Sequence, residues 1–135
     1  MVSRTASCGI VEARSRLRTA AAYLDVAEMV LGEQAREEFL SVAAGLAVLA
    51  GIAASDAICC ARLKVRHRGD DHRGAADLLK GSTPDGARLA STLVRLLDIK
   101  DEAHYGVVIV APGKARDAIR RAGRLVERAR EEVER

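Results

Sequence analysis

The seven residues Arg66-His67-Arg68-Gly69-Asp70-Asp71-His72 gather two imidazoles, two carboxylates and two guanidiniums. Imidazole with carboxylate suits Zn, Mn or Fe, and an imidazole such as that of His72 can move a proton near neutral pH. Simpler roles compete for the same side chains. Asp70 or Asp71 can cap a following helix, and Arg66 and Arg68 can face water. The simpler roles account for the pattern without a metal, and none is expected.

Asp56 is the second chemically conspicuous residue. It is the only charged residue between Phe39 and Ala61, and an ion buried in such surroundings costs several kcal/mol unless it is paired. Its expected partner is His72, because an imidazole can donate to the carboxylate in either charge state; the end of the helix carrying His104 and Tyr105 is the alternative. Cys59 and Cys60 follow closely, and Cys8 stands near the N-terminus. The three cysteines form no metal-ligand spacing, and adjacent cysteines on a helix do not readily pair with each other. They are expected to be reduced packing residues of a cytoplasmic protein, a reading that agrees with an N-terminus lacking an apolar leader.

The third cluster is Lys100-Asp101-Glu102-Ala103-His104-Tyr105. The fourth is the row Arg116, Arg120, Arg121, Arg124 and Arg128, which falls on one side of a helix at 100° per residue. Arg120 and Arg124 are the members placed to meet a nucleic-acid backbone. Glu127, Glu131 and Glu134 share that polar side, and Glu127 has Arg124 and Arg130 at pairing distance.

Helices must position these groups. Ile10, Leu17, Leu24 and Leu31 recur every seven residues, with Ala13, Ala20 and Ala27 three further on, which predicts a first helix from about residue 8 to 31 ending at Gly32. A second helix from about Arg36 to Leu63 is rich in Ala and Gly. It is long enough to span a bilayer, yet too poor in Leu, Ile and Phe for that role, and it reads as the central helix of a bundle. Ala75, Ala76, Leu78 and Leu79 predict a short third helix, and Gly81 to Gly86 a loop. Leu89, Leu93, Leu96 and Leu97 mark a fourth helix that Gly106 closes. Val107 to Val110 reads as an extended strap, without a strand to pair with. Pro112 suits the first turn of a last helix, on which Ala115, Ala118, Ile119, Ala122, Leu125, Val126, Ala129 and Val133 form one apolar arc.

Composition agrees. The 135 residues are 49% hydrophobic and 30% charged, with no Trp, two Tyr and one Phe. That excludes an aromatic stacking sheet and disfavours an all-β sandwich. The 25 alanines and 18 arginines against four lysines are a helix-forming vocabulary. A net charge of +3 is too small to indicate nucleic acid by itself. One all-α domain over residues 1–135 is expected, an antiparallel bundle of four to five helices without a sheet.

The small-residue helix Ala43 to Cys60, the Gly69-Asp-Asp-His72 turn, the Leu96 to Gly106 stretch and the closing amphipathic helix together resemble the HEPN family, the "higher eukaryotes and prokaryotes nucleotide-binding" helical bundles. The likeness is greatest to small actinobacterial HEPN-like proteins and covers most of the chain. Active HEPN ribonucleases carry Arg, a polar residue, a few variable residues and then His. The arginine engages the scissile phosphate, and the histidine serves acid–base cleavage across a dimer. The resemblance puts Lys100 in the arginine's place, Asp101 in that of the polar residue and His104 in that of the histidine, one position too close. Lys also offers a point charge where Arg offers a fork. Arg66 to His72 meets the spacing, with His67 as the polar residue, but lies elsewhere in the chain. Tyr105 stands beside His104, where some HEPN toxins carry a tyrosine two residues on that a nucleotidyltransferase modifies.

The resemblance therefore implies a protein of toxin–antitoxin or defence type that binds or cleaves RNA as a homodimer, without metal or cofactor. The alternative is a non-catalytic HEPN bundle serving as a partner-binding or nucleotide-binding accessory. In the first case Lys100, Asp101, His104, Arg66 and His72 carry catalysis, while Asp56, Asp71, Tyr105, Arg120 and Arg124 bind. A nucleotidyltransferase or an antitoxin is the implied protein partner, and no membrane is involved. The heptad seam on the first helix supplies the expected contact between two copies.

Overall fold

A computed structural model describes residues 4–32, 36–69, 71–105 and 109–135. Among the described residues there are five helices: α1 (Ile10–Gly32), α2 (Glu37–Leu63), α3 (Arg73–Lys80), α4 (Gly86–Tyr105) and α5 (Pro112–Val133). The chain is an all-α helical bundle, as its periodicities predict. Asp70 as a cap, Gly106 as a stop and the Val107–Val108 half of the strap lie outside the described residues, as does the side chain of Tyr105.

α2 is the axis of the bundle, and α1, α4 and α5 all pack on it. Its residues are small because three helices must approach it: Ala44, Ala47, Ala50, Ala53, Ala54 and Ala57 are all fully buried. At Gly51 a methyl group would come within 2.5 Å of Leu96 Cδ1 on α4 and 3.4 Å of Leu125 Cδ1 on α5, so two neighbours occupy the space a side chain would take. An 18-residue window of α2 is apolar enough to cross a membrane, with a mean hydropathy of 1.9, but 83% of it is buried against the rest of the chain.

The apolar arc of α5 is buried as expected, from Ala115 to Val133, with Ile119 half-buried. The seam of α1 is used within the chain: Ala13, Leu17, Ala20 and Ala27 join the core. Ile10, on the same seam, is exposed, and Leu24 and Leu31 are half-buried. The start of α1 lies beside the end of α2, which makes this helix pair antiparallel.

Two expectations are corrected. The chain does contain a sheet, a two-stranded antiparallel ribbon of β1 (Thr5–Ser7) and β2 (Val65–His67), with Ala6 opposite Arg66. Its signal is weak because each strand has three residues and neither alternates strongly. The ribbon exists because α2 ends abruptly: Lys64 takes a left-handed conformation at φ 63° and turns the chain back beside the N-terminal segment. The cysteines are not all reduced either. Cys8 and Cys60 form a disulfide with a Cα–Cα distance of 5.3 Å, and Cys59 is the free, buried thiol. Adjacent cysteines on a helix point about 100° apart, so only one of them can face Cys8.

The strap is present in its described part. Val110 is buried, and its N–H donates to Ser41 Oγ on α2 at 3.0 Å.

Candidate functional site

Asp56 is satisfied by a residue that its sequence neighbourhood does not reveal. Arg16 of α1 donates from Nε to Asp56 Oδ2 at 3.2 Å, and its Nη2 lies 3.0 Å from the same oxygen. The pair that sequence assigns to His72 thus belongs to Arg16. The antiparallel packing of α1 on α2 brings a side chain 40 positions away alongside the carboxylate, and an arginine is long enough to reach it. His72 acts on Asp56 through its charge. Burial pushes the Asp56 carboxyl above its ordinary value, and Arg16, then Arg66 and His72, oppose that shift in order of size.

Arg16 and Asp56 form part of the wall of an open cleft of about 390 Å³, lined also by Glu12, Ser15 and Arg66. Glu12, Ser15 and Arg16 project from the first two turns of α1, Asp56 from the last third of α2 and Arg66 from β2. Each has a local reason to be there. Glu12 Oε2 accepts the Gly9 N–H at 3.2 Å and so satisfies a free donor at the start of α1. Arg66 is held in register by its pairing with Ala6, and its Nη1 donates to the His67 carbonyl oxygen at 3.5 Å. Among the described residues no carboxylate lies within ion-pair distance of Arg66. The cleft therefore offers one guanidinium engaged by Asp56, one without a carboxylate partner among the described residues, the carboxylate of Glu12, and a hydroxyl.

The rest of the Arg66–His72 cluster has structural work. The His67 ring fills the space beside Gly74, where any added methyl would overlap it, and both ring nitrogens are buried without a hydrogen-bond partner among the described residues. Asp71 Oδ1 accepts the Arg73 N–H at 3.1 Å, the capping role expected of this turn, and His72 occupies the cap position itself. Gly69, at φ 114°, makes a bend that a larger residue would resist. Among the described residues no group of three potential metal ligands is assembled.

The Lys100–Tyr105 segment forms the last turn and a half of α4. The His104 ring lies over Gly45 of α2, 2.9 Å from where a methyl would sit. Gly45 and Asp56 are eleven residues apart on one continuous helix, about 16 Å at 1.5 Å per residue. The structure thus does not bring His104, Lys100 and Asp101 together with Arg66, His72 and Asp56; the two clusters sit at different levels of α2. Lys100 is half-buried and Asp101 exposed.

The arginine row of α5 divides. Arg128 turns inward and grips Asp85 with two hydrogen bonds, Nε to Oδ2 and Nη2 to Oδ1, each 3.0 Å. Asp85 stands just before α4 and also accepts Thr83 Oγ1 at 2.7 Å. Arg120 and Arg121 both hold Asp117. Arg116 and Arg124 remain exposed. Glu127 pairs with Arg130 at 3.7 Å, one of its two expected partners.

Sequence reasoning missed Glu132, whose side chain is 1% exposed. Arg62, Arg128 and Arg135 surround it at 3.4, 3.5 and 3.6 Å. Its signal is present in the helical wheel, since Glu132 falls seven residues after Leu125 and three after Ala129, inside the apolar arc. The Cys59 thiol is chemically silent: burial, then the Asp56 charge, pushes its pKa up to about 12, so it is not a nucleophile at neutral pH.

Compared with known protein families and with curated protein sequences, the chain matches none.

Proposed function

We propose that this chain is a HEPN-like bundle of the non-catalytic kind, an accessory protein that binds a nucleotide or a comparable phosphate-bearing molecule in the cleft between α1, α2 and β2. The observation that carries the reading is Arg66: a guanidinium without a carboxylate partner among the described residues, set in a cleft beside Ser15 and Arg16, with Glu12 bound to the start of α1 and Asp56 bound to Arg16. A guanidinium recognises phosphate oxygens through paired donors, and a hydroxyl adds a further hydrogen bond. Asp56 keeps Arg16 directed into the cleft.

The second reading, a metal-independent endoribonuclease acting as a homodimer, is favoured by Lys100, Asp101 and His104 sharing the end of α4. Against it stand the short spacing, the lysine in place of arginine, and a histidine ring that covers Gly45. If two copies pair, the apolar surface left for the purpose includes Val26, Met29, Phe39 and Val42, all exposed near the α1–α2 turn. An antitoxin or nucleotidyltransferase partner and a cytoplasmic setting belong to the same proposal.

Calorimetric titration with ATP and an RNA-cleavage assay decide between the readings. ATP binding that weakens at least tenfold in Arg66→Ala, with RNA left intact, supports the accessory. RNA cleavage that disappears in His104→Ala overturns it in favour of the nuclease.

A further inference from the structure

The Cys8–Cys60 bond joins the same two walls that form the cleft. Cys8 precedes Glu12 by four residues, and Asp56 precedes Cys60 by four, so the bond lies close to the cleft on both walls, one helical turn from Asp56 along α2. Cys60 is fully buried and Cys8 is 8% exposed. Whatever reaches this disulfide must therefore come from the Cys8 side, where β1 lies. β1 packs principally on β2. Beyond the three-residue register, the ribbon is extended by the Cys8 N–H to the Lys64 carbonyl and the Arg68 N–H to the Arg4 carbonyl, both 2.9 Å. A two-stranded ribbon this short is marginal without support, and it can open locally while the helical core stays intact.

We infer that the Cys8–Cys60 disulfide is a thiol-responsive clasp that holds the β1–β2 ribbon, and with it Arg66, in place beside the cleft. The inference rests in part on the ligand-binding reading above, because Arg66 is the residue whose position the ribbon sets. When β1 lifts, a thiolate of a dithiol reductant attacks Cys8 Sγ, forming a mixed disulfide. The S–S bond breaks, and Cys60 leaves as a thiolate and takes up a proton. The second thiol of the reductant then closes its own disulfide and releases Cys8. Two electrons and two protons pass from the dithiol to the protein. Cys59 does not compete, being buried and bonded to neither partner. The segment that carries β1 then loses its disulfide cross-link to α2, and Arg66 loses its cross-strand partner Ala6.

The test is two-dimensional NMR of the full chain before and after dithiothreitol under native conditions, with thiol counting by mass spectrometry. Expected are two additional thiols, loss of the cross-strand contact between Ala6 and Arg66, and shifted or broadened amides at 5–7 and 65–67, while α4 and α5 signals stay in place. Cys8→Ser should reproduce the reduced spectrum without reductant, and Cys59→Ser should leave the response to dithiothreitol intact. The clasp is overturned if the bond resists the reductant, if the Ala6–Arg66 contact survives reduction, or if the whole spectrum collapses to that of an unfolded chain. ATP titration of both forms separates the two proposals. ATP affinity at least tenfold weaker after reduction supports the link to the cleft. Failure of the oxidised form to bind removes the ligand reading and leaves the clasp to the NMR result. Equal binding with a detached ribbon overturns the link between ribbon and cleft.

Discussion

Arg16 on α1 and Asp56 on α2, 40 positions apart in sequence, meet through two guanidinium nitrogens directed at one carboxylate oxygen, at 3.2 and 3.0 Å. The two ends of the pair differ in setting. Asp56's side chain is 11% exposed and Arg16's 34%, so the carboxylate bears more of the desolvation and depends on the arginine more than the arginine depends on it.

Arg16→Met should destabilise the protein by about 3–5 kcal/mol, because it leaves a buried carboxylate unpaired. Asp56→Asn should cost less, since Arg16 can turn toward water. Urea unfolding of the two variants and of the double variant checks this order. A smaller loss in Arg16→Met than in Asp56→Asn would contradict it.

Acid should act on Asp56 and Asp85 in opposite directions. Burial raises the Asp56 carboxyl above its ordinary 3.8, with Arg16 only partly offsetting it. The folded state then holds a proton more readily than the unfolded one, so this residue's cost to stability is full at neutral pH and shrinks as pH falls through the raised value. Asp85 is held well below 3.8 by its Arg128 hydrogen bonds, then by Thr83. Its contribution is complete above the unfolded value and disappears as pH drops below about 4. Thermal unfolding from pH 7 to 2 should therefore show a flatter acid limb in Asp85→Asn and a steeper one in Asp56→Asn than in the parent.

Arg128→Lys should lose about 1–3 kcal/mol, because an ammonium cannot reproduce the two parallel bonds to Asp85. The loss should be smaller in Arg124→Lys, an exposed neighbour on the same helix. Chemical denaturation of the two variants measures the contrast.

Gly51→Ala should cost about 1–3 kcal/mol, since its methyl meets Leu96 and Leu125 in a filled core. Gly45→Ala meets one exposed ring, that of His104, in place of two core leucines, and should cost less. Comparable melting temperatures for the two variants would show that the His104 ring is as firmly held as the core leucines.

Removing the disulfide by Cys8→Ala should lower stability by about 4 kcal/mol through the freed loop of 52 residues, while the helical far-ultraviolet signature persists. Circular dichroism during thermal unfolding reads both quantities.

The helices were legible in the sequence because helix formation is local. The spacing of Leu89, Leu93, Leu96 and Leu97, or of the apolar arc from Ala115 to Val133, repeats at the pitch of the backbone itself and needs no knowledge of neighbours. The crowding of Ala and Gly between Ala43 and Cys60 likewise announced a central helix, because only small residues let several helices close on one. Asp56 was recognisable as a residue in need of a partner, since the cost of a buried ion is a property of the ion and its surroundings. Which group answers that need was not recognisable. Arg16 to Asp56, Cys8 to Cys60, Arg128 to Asp85 and β1 to β2 each join segments more than 40 residues apart or nearly so, and many arginines and three cysteines were equally available in one dimension. Antiparallel docking of α1 on α2, with the sharp turn at Lys64, chose among them: it set Arg16 beside Asp56, turned Cys60 and not Cys59 toward Cys8, and carried Arg66 to the cleft while leaving His104 about 16 Å away along α2.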